Sequence, residues 1–319
     1  LFAPRAGVAL ADAPHLVPQS GGAPANVAVQ LARLGVPTAL VTAVGKDPFG
    51  VRLTRALADD GVDVDAVVVR AGRRTGCTLV EVDARGERSF FGFRENSADL
   101  TLGPADLNAQ AARRAISRAS LVHTGTVSLR SPSARAATRA LQQQARARGR
   151  WVSLDVNLRP GMFPSLPLLL RLANAAVRRA DIVKATREEA QQLLALPRAA
   201  DDVLVDALLA RGPRLVALTL GEEGAVLATR RARVLRRPAQ VVTRPVDVTG
   251  AGDAFVGGLL GGLLARGLSP RSADALDDVD EAALAALVDD ANACGAAVVT
   301  ALGATTAMLR GAHGRASRR

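Results

Sequence analysis

The chain has 319 residues, 49% of them apolar, enough to bury a sizeable core as one large domain or one domain with a small appendage. The formal charge is +11, yet lysine occurs only at Lys46 and Lys184, and the remaining positive residues are scattered arginines. Aromatic residues make up only 3%, too few for the stacking platforms that single-stranded nucleic acid needs, so a nucleic-acid binder ranks far behind an enzyme.

In chain order, the first informative stretch is Gly21-Gly22-Ala23-Pro24-Ala25-Asn26-Val27-Ala28. A glycine pair before a helix opening brings backbone close to a ligand. Asn26 offers both a donor and an acceptor, which suits a sugar hydroxyl; alone, it serves equally well as a cap or a packing residue. The segments Val64–Val69, Cys77–Val82 and Arg88–Phe93 then alternate like strands, with Ala84-Arg85-Gly86 as a turn and no helix between them. That pattern predicts a small antiparallel flap on the side of the main domain. A closing flap would exclude water from a neighbouring site; a plain edge hairpin is the bland alternative.

From about residue 100 onward, short apolar strands (Leu121–Gly125, Trp151–Val156, Ile182–Lys184, Leu215–Leu220) alternate with amphipathic helices (Pro104–Arg118, Pro132–Arg148, Pro164–Arg179, Ala200–Leu209). Alternation of this kind predicts an α/β fold with crossover units on a parallel sheet. Pro104, Pro132 and Pro164 are read as first-turn prolines. His123 sits in an apolar run and is expected to be structural, and His15 and His313 are isolated from it in sequence. Cys77 and Cys294 are far apart in apolar surroundings, which predicts two buried thiols in a reducing, cytoplasmic compartment. No Cys/His metal cluster exists in the sequence.

The sharpest signal is Asp247-Val248-Thr249-Gly250-Ala251-Gly252-Asp253, followed at once by an apolar helix. The glycines let the backbone turn so that amides gather at a helix N-terminus, a ready anion site. A carboxylate at that spot would repel a phosphate unless it does chemistry beside it. The economical reading is phosphoryl transfer, with Gly250, Ala251 and Gly252 holding the transferring group and Asp253 taking the proton from the attacking hydroxyl. An ordinary capped turn has the same spelling. The third glycine of a dinucleotide fingerprint and the Gly-Lys-Ser/Thr of a Walker loop are both absent. The apolar run Ala254–Ala265 is too short to span a membrane, no signal peptide is visible, and Arg310–Arg319 reads as a disordered basic tail.

Taken together, the Gly21–Asn26 and Asp247–Gly257 blocks resemble the two signature patterns of the ribokinase-like sugar kinases, the PfkB-type carbohydrate kinase family. Supporting blocks are Gly45–Gly50, Phe90–Leu100, Asp155-Val156-Asn157-Leu158-Arg159, Asp181–Glu189 and Ala291–Ala296, and the Gly-Gly-Ala-Pro-Ala-Asn spelling is nearest to the fructokinases. The resemblance implies a ribokinase-like fold: a central, mainly parallel sheet flanked by helices on both faces, in one domain over residues 1–319. The lid would come from roughly residues 5–20 and 64–95. It further implies an ATP-dependent sugar kinase in which Asp253 is the base and Gly21, Gly22 and Asn26 hold the sugar. Arg94 would reach the sugar or its phosphate. Thr219, Gly221 and Gly224 would bind the nucleotide, with Asn292 near the adenine. Glu189 would help place Mg2+ through water, and Asp247 and Thr249 would help bind a monovalent cation, K+ in several members. Flap pairing into a homodimer is seen among relatives; neither nucleic acid nor membrane is an expected partner.

Two departures from the family pattern stand out. The Asn-x-x-Glu element reads Thr186-Arg187-Glu188-Glu189, keeping an oxygen but losing the amide. Members also open with a strand ending in a Gly-Glu-x-x-x-Asp type element, and Leu1-Phe2 resembles the residues just after it. The chain starts without methionine, so a fragment is one expectation; a catalytically impaired nucleotide-binding remnant is the other. A sheet lacking that strand would hold unpaired backbone groups, each costing on the order of 1–3 kcal/mol. Within the family, 2-keto-3-deoxygluconate is the alternative substrate, for which Arg94 would matter more.

Overall fold

A computed structural model describes residues 1–3, 7–82, 88–268 and 275–311. Its centre is a six-stranded sheet of β5 (Leu121–Gly125), β6 (Trp151–Asp155), β7 (Ile182–Thr186), β8 (Leu215–Thr219), β9 (Ala225–Thr229) and β10 (Arg233–Arg237). The strands lie in the order β10-β9-β8-β7-β6-β5. Strands β5 to β8 are parallel, while β9 and β10 each run antiparallel to their predecessor.

These strands are apolar on both faces because both are covered. Val152, Leu154, Val183, Ala185, Val216 and Leu218 join one core with α4 (Pro132–Ala147), α5 (Leu166–Val177), α6 (Arg187–Leu194) and α7 (Asp201–Leu209). Their alternates Trp151, Ile182, Leu215 and Ala217 join another, against α1 (Ala23–Arg33), α8 (Ala251–Ala265) and α9 (Glu281–Val298). The period of two along each strand thus divides the side chains between two helical layers. Lys184 and Asp155 fall on the α1/α8/α9 parity, polar interruptions in an otherwise apolar layer.

Glycines set how closely that layer packs. A Cβ on Gly257 would lie 2.6 Å from Gln30 of α1, and one on Gly258 would lie 2.8 Å from the Cys294 sulfur of α9. Only a side-chain-free stripe lets α8 approach both neighbours.

The flap differs from expectation in one part. β3 (Cys77–Val82) and β4 (Arg88–Phe93) pair antiparallel. Val64–Val69, read as a flap strand, instead contributes to β2 (Val67–Arg70), which pairs in parallel with β1 (Thr42–Gly45) in a separate two-stranded sheet. The helix α2 (Pro48–Asp59) connects the two, so this is a crossover unit that strand alternation alone did not distinguish from a meander. Single bridges from Phe2 to Val17 and to Val80 attach the opening residues to the flap. The expected turn at Ala84–Gly86 and most of the basic tail, His313 included, lie outside the described residues.

Two helix boundaries also shift. Pro104–Arg118 divides into a 3-10 turn, Pro104–Asn108, and α3, Gln110–Arg118, because Asp106 reaches back to the Gly103 amide (2.7 Å) and Ala109 is extended. Pro164 precedes its helix: Ser165 is the cap, and Pro167 is the first-turn proline. The short helix α6 was not anticipated. Thr186 and Glu189 form its capping box.

Candidate active site

The site lies at the C-terminal ends of the parallel strands, where Asp155, Thr186 and Thr219 are the last residues of β6, β7 and β8. Facing them is the N-terminus of α8. Gly250 caps that helix with φ 85°, and a Cβ there would meet the Ala304 carbonyl oxygen at 2.5 Å. Asp247 braces the turn: one carboxylate oxygen accepts from Thr249 N (2.9 Å) and the other from Gly303 N (2.8 Å). The Ala251 amide donates to the Val248 carbonyl at 3.2 Å. The amides of Gly250, Gly252 and Asp253 have no such partner among the described residues, an arrangement suited to receiving an anion.

Asp253 occupies the third position of α8 and is only 9% exposed. Asn26 Nδ2 donates to its Oδ2 at 2.7 Å across 227 residues of sequence. Burial and the nearby Asp155 push the Asp253 carboxyl up to about 7, against the lowering pull of Asn26, Lys184 and Arg159. A carboxylate poised near neutrality suits a general base. Gly21 and Gly22 precede α1 in exposed backbone, with Gly22 at φ 109° and its carbonyl accepting from the Asn26 amide (2.9 Å).

Beneath lies a polar floor. Lys184 Nζ pairs with Asp155 Oδ1 at 3.1 Å, both side chains being under 10% exposed (7% and 3%). Glu189 accepts from Leu158 N (2.8 Å) and Thr186 N (2.9 Å), tying the loop after β6 to the start of α6. Burial raises the Glu189 carboxyl and the neighbouring Lys184 opposes that rise. The Thr186 hydroxyl accepts from Glu189 N (3.2 Å), so the substituted position still caps the helix. Asn157 is held at φ 33°, with its carbonyl accepting from the buried Thr126 hydroxyl (3.0 Å). Left-handed backbone at a non-glycine residue is a cost tolerated where a loop must be aimed.

The expected nucleotide residues form a neighbouring patch. Thr219 ends β8, Gly221 has φ 61°, and Gly224 has φ 94° and leaves no room for a Cβ against the backbone of Arg237–Ala239. Asn292 donates to the carbonyls of Arg237 (3.2 Å) and Pro238 (3.1 Å), so its amide group fixes this segment. Arg94 stands apart: it pairs with Asp99 beside Gly76, and no contact among the described residues joins it to Asn26 or Asp253. His123 bonds Ser153 (3.0 Å) and is pushed down to about 4 by burial and Lys184, which leaves it neutral.

Sequence reasoning assigned no role to Lys184, Asp155 or Arg159. The usable signal was composition: a chain with 41 basic residues keeps lysine at only two positions, and one of them is the floor of this site.

Comparison with known proteins agrees with this geometry. The chain matches the pfkB family carbohydrate kinase over residues 3–310. It is 38% identical to Fructokinase-1 of Oryza sativa subsp. japonica over 299 residues, covering 94% of this chain and 88% of the relative. The fold superposes on fructokinase from Vibrio cholerae O395 in its fructose-, ADP- and calcium-bound form, with TM-score 0.81, 34% identity, and 94% and 92% of the two chains covered. It also superposes on ATP-bound fructokinase from Xylella fastidiosa, with TM-score 0.84, 29% identity, and coverage of 97% and 94%. With the helix-mouth aspartate, the ribokinase-like sheet and the family match in agreement, the chain belongs to the pfkB family of carbohydrate kinases, phosphotransferases that act on sugar alcohol groups.

Proposed function

We propose that this carbohydrate kinase is an ATP-dependent fructokinase with Asp253 as general base. The observation that carries the reading is a buried carboxyl at a helix mouth, poised near neutrality and held by Asn26. The sugar occupies the Gly21, Gly22 and Asn26 side, and its attacking hydroxyl gives its proton to Asp253. The Gly250, Gly252 and Asp253 amides hold the γ-phosphoryl group as its bond to the sugar oxygen forms and its bond to the leaving ADP breaks, and the nucleotide extends toward Thr219, Gly221, Gly224 and Asn292. Positioning and charge stabilisation supply most of the rate.

Mg2+ and K+ fit the residues present in different ways. No group of three or more acidic, His or Cys residues among those described could hold a metal alone. That suits an ion shared with nucleotide phosphates and water, which Glu189 would help place and which would neutralise phosphate charge. The Thr249 hydroxyl is buried without a partner, as a monovalent-cation ligand would be before the ion binds. Both cysteines are free, Cys294 buried as expected and Cys77 only half-buried, which agrees with a reducing cytoplasm, and no described helix is long and apolar enough to cross a membrane. Phe91 and Phe93 on the flap are 50% and 66% exposed, apolar surface suited to a homodimer formed through the lid.

Fructose is favoured over 2-keto-3-deoxygluconate because Arg94, the cation expected to meet the sugar-acid carboxylate, is already paired with Asp99. A coupled ADP-release assay with ATP and a panel of fructose, 2-keto-3-deoxygluconate and ribose tests this. The expected result is a kcat/KM for fructose at least about 10-fold above the others, the scale that a few hydroxyl contacts provide. Better turnover of either rival removes the fructokinase assignment.

A further inference from the structure

Lys184 presents a physical contradiction. Its Nζ lies only 3.1 Å from where a Gly252 side chain would begin, so the ammonium is pressed against the first turn of α8. That end of a helix carries partial positive charge and repels a cation. A lysine serving only the core would be placed elsewhere or replaced, since a buried ion pair adds little stability over apolar packing. Burial does push Lys184 down. Asp155, Glu189 and Asp253 outweigh it and hold the amine above its ordinary value, so the group stays charged.

The choice of side chain points the same way. This chain fills nearly all its 41 basic positions with arginine. At residue 184 the space between Asp155 and Gly252 admits a single ammonium nitrogen; a planar guanidinium carries additional atoms that would press on the helix turn. Gly252 and Lys184 are therefore matched, with the missing side chain of one making room for the charge of the other.

We propose that Lys184 is a positioning residue of the phosphoryl-transfer reaction: seated under Gly252 and gripped by Asp155, its ammonium balances the two facing carboxylates and keeps Asp253 in its proton-accepting form. The inference rests on Asp253 being the base. Four groups face Asp253: Asn26 from α1, Asp155 from the end of β6, Arg159 from the loop after it, and Lys184 from β7. Lys184 in turn is faced by Asp155, Glu189, Asp253 and the neutral His123. Removing the ammonium leaves Arg159 as the one cation facing the like-charged pair Asp155 and Asp253, and Asp253 then binds its proton more tightly.

The test is the acid limb of the kcat/KM profile, which reports the free enzyme's base. In Lys184→Met the limb should move up by about one pH unit, the scale of losing one close opposite charge. In Asp155→Asn it should move down, because a like charge is lost. Where Lys184→Met fails to fold, Asp155→Asn is compared with Asp155→Asn/Lys184→Met, a pair in which the lysine is removed without stranding Asp155. Adding the lysine change should again raise the limb. A limb that is unmoved or lowered by the lysine change, in either background, overturns the proposal. Asp253→Asn is run alongside. If that variant is inactive, an unmoved limb sinks the Lys184 role alone; if it turns over near-normally, the base assignment fails and takes this inference with it.

Discussion

Asp253→Asn should fold, bind ATP, and lose about 10²- to 10⁴-fold in kcat, the range that a positioned general base contributes. The replacement keeps the shape, and its amide oxygen can still accept the Asn26 Nδ2–H, so substrate positioning is retained while proton acceptance is lost. The intact enzyme should show an acid limb in kcat/KM near the value of about 7 to which burial and Asp155 raise this carboxyl.

Stability should move the other way. In the folded chain Asp253 holds its proton up to about 7, whereas its unperturbed value is 3.8. Between those values the native state binds more protons than the unfolded state, so this group's contribution to stability falls as pH rises through that window. Above it, the ionised buried carboxylate costs on the order of 2–4 kcal/mol. The asparagine variant avoids that cost, and its melting temperature should exceed that of the parent at pH 8, with the difference vanishing at low pH. Steady-state kinetics together with melts at the two pH extremes check both halves. Near-normal turnover in Asp253→Asn would remove the residue from the base role.

Legibility in the sequence tracks how local each constraint is. Asp247–Asp253 could be read because glycine at a helix mouth and a carboxylate beside it are chemically odd within seven residues. The two-faced parallel strands could be read because both sides are buried, so apolar runs persist. The parallel pairing of Val67–Arg70 with Thr42–Gly45 could not, since alternation gives a strand's face and never its partner. The contact of Asn26 with Asp253 rests on α1 packing along the glycine stripe of α8, a tertiary fact. Glu189 shows the same limit. Its position was legible, yet its grip on the Leu158 and Thr186 amides depends on two loops meeting. Lys184 was visible only as a rarity of composition, with nothing local to say that its amine ends under Gly252.

Gly250→Ala should damage both stability and turnover. Two costs add. An alanine at φ 85° is strained by about 1 kcal/mol, because its Cβ crowds its own carbonyl. The new Cβ would also lie 2.5 Å from the Ala304 oxygen and 2.8 Å from the Ala304 Cα. Much of that obstruction is backbone, so no rotamer change relieves it and the Gly303–Ala304 segment must move. Asp247 holds that segment through the Gly303 amide, so the displacement reaches back into the turn that presents the anion-binding amides. We expect a loss of about 2–4 kcal/mol in unfolding free energy, the range for backbone strain combined with a steric clash. We also expect a fall of at least about 10²-fold in kcat/KM, because catalytic groups misplaced by an ångström lose that much. Gly35→Ala is the matched control. Its φ of 86° is strained as well, but an added Cβ meets nothing within 4 Å, so only the conformational cost applies. Denaturant titration and steady-state kinetics on both variants separate strain from collision. Equal stability and equal turnover in the two would mean that the loop at Ala304 yields freely, and that Asp247 does not brace the site.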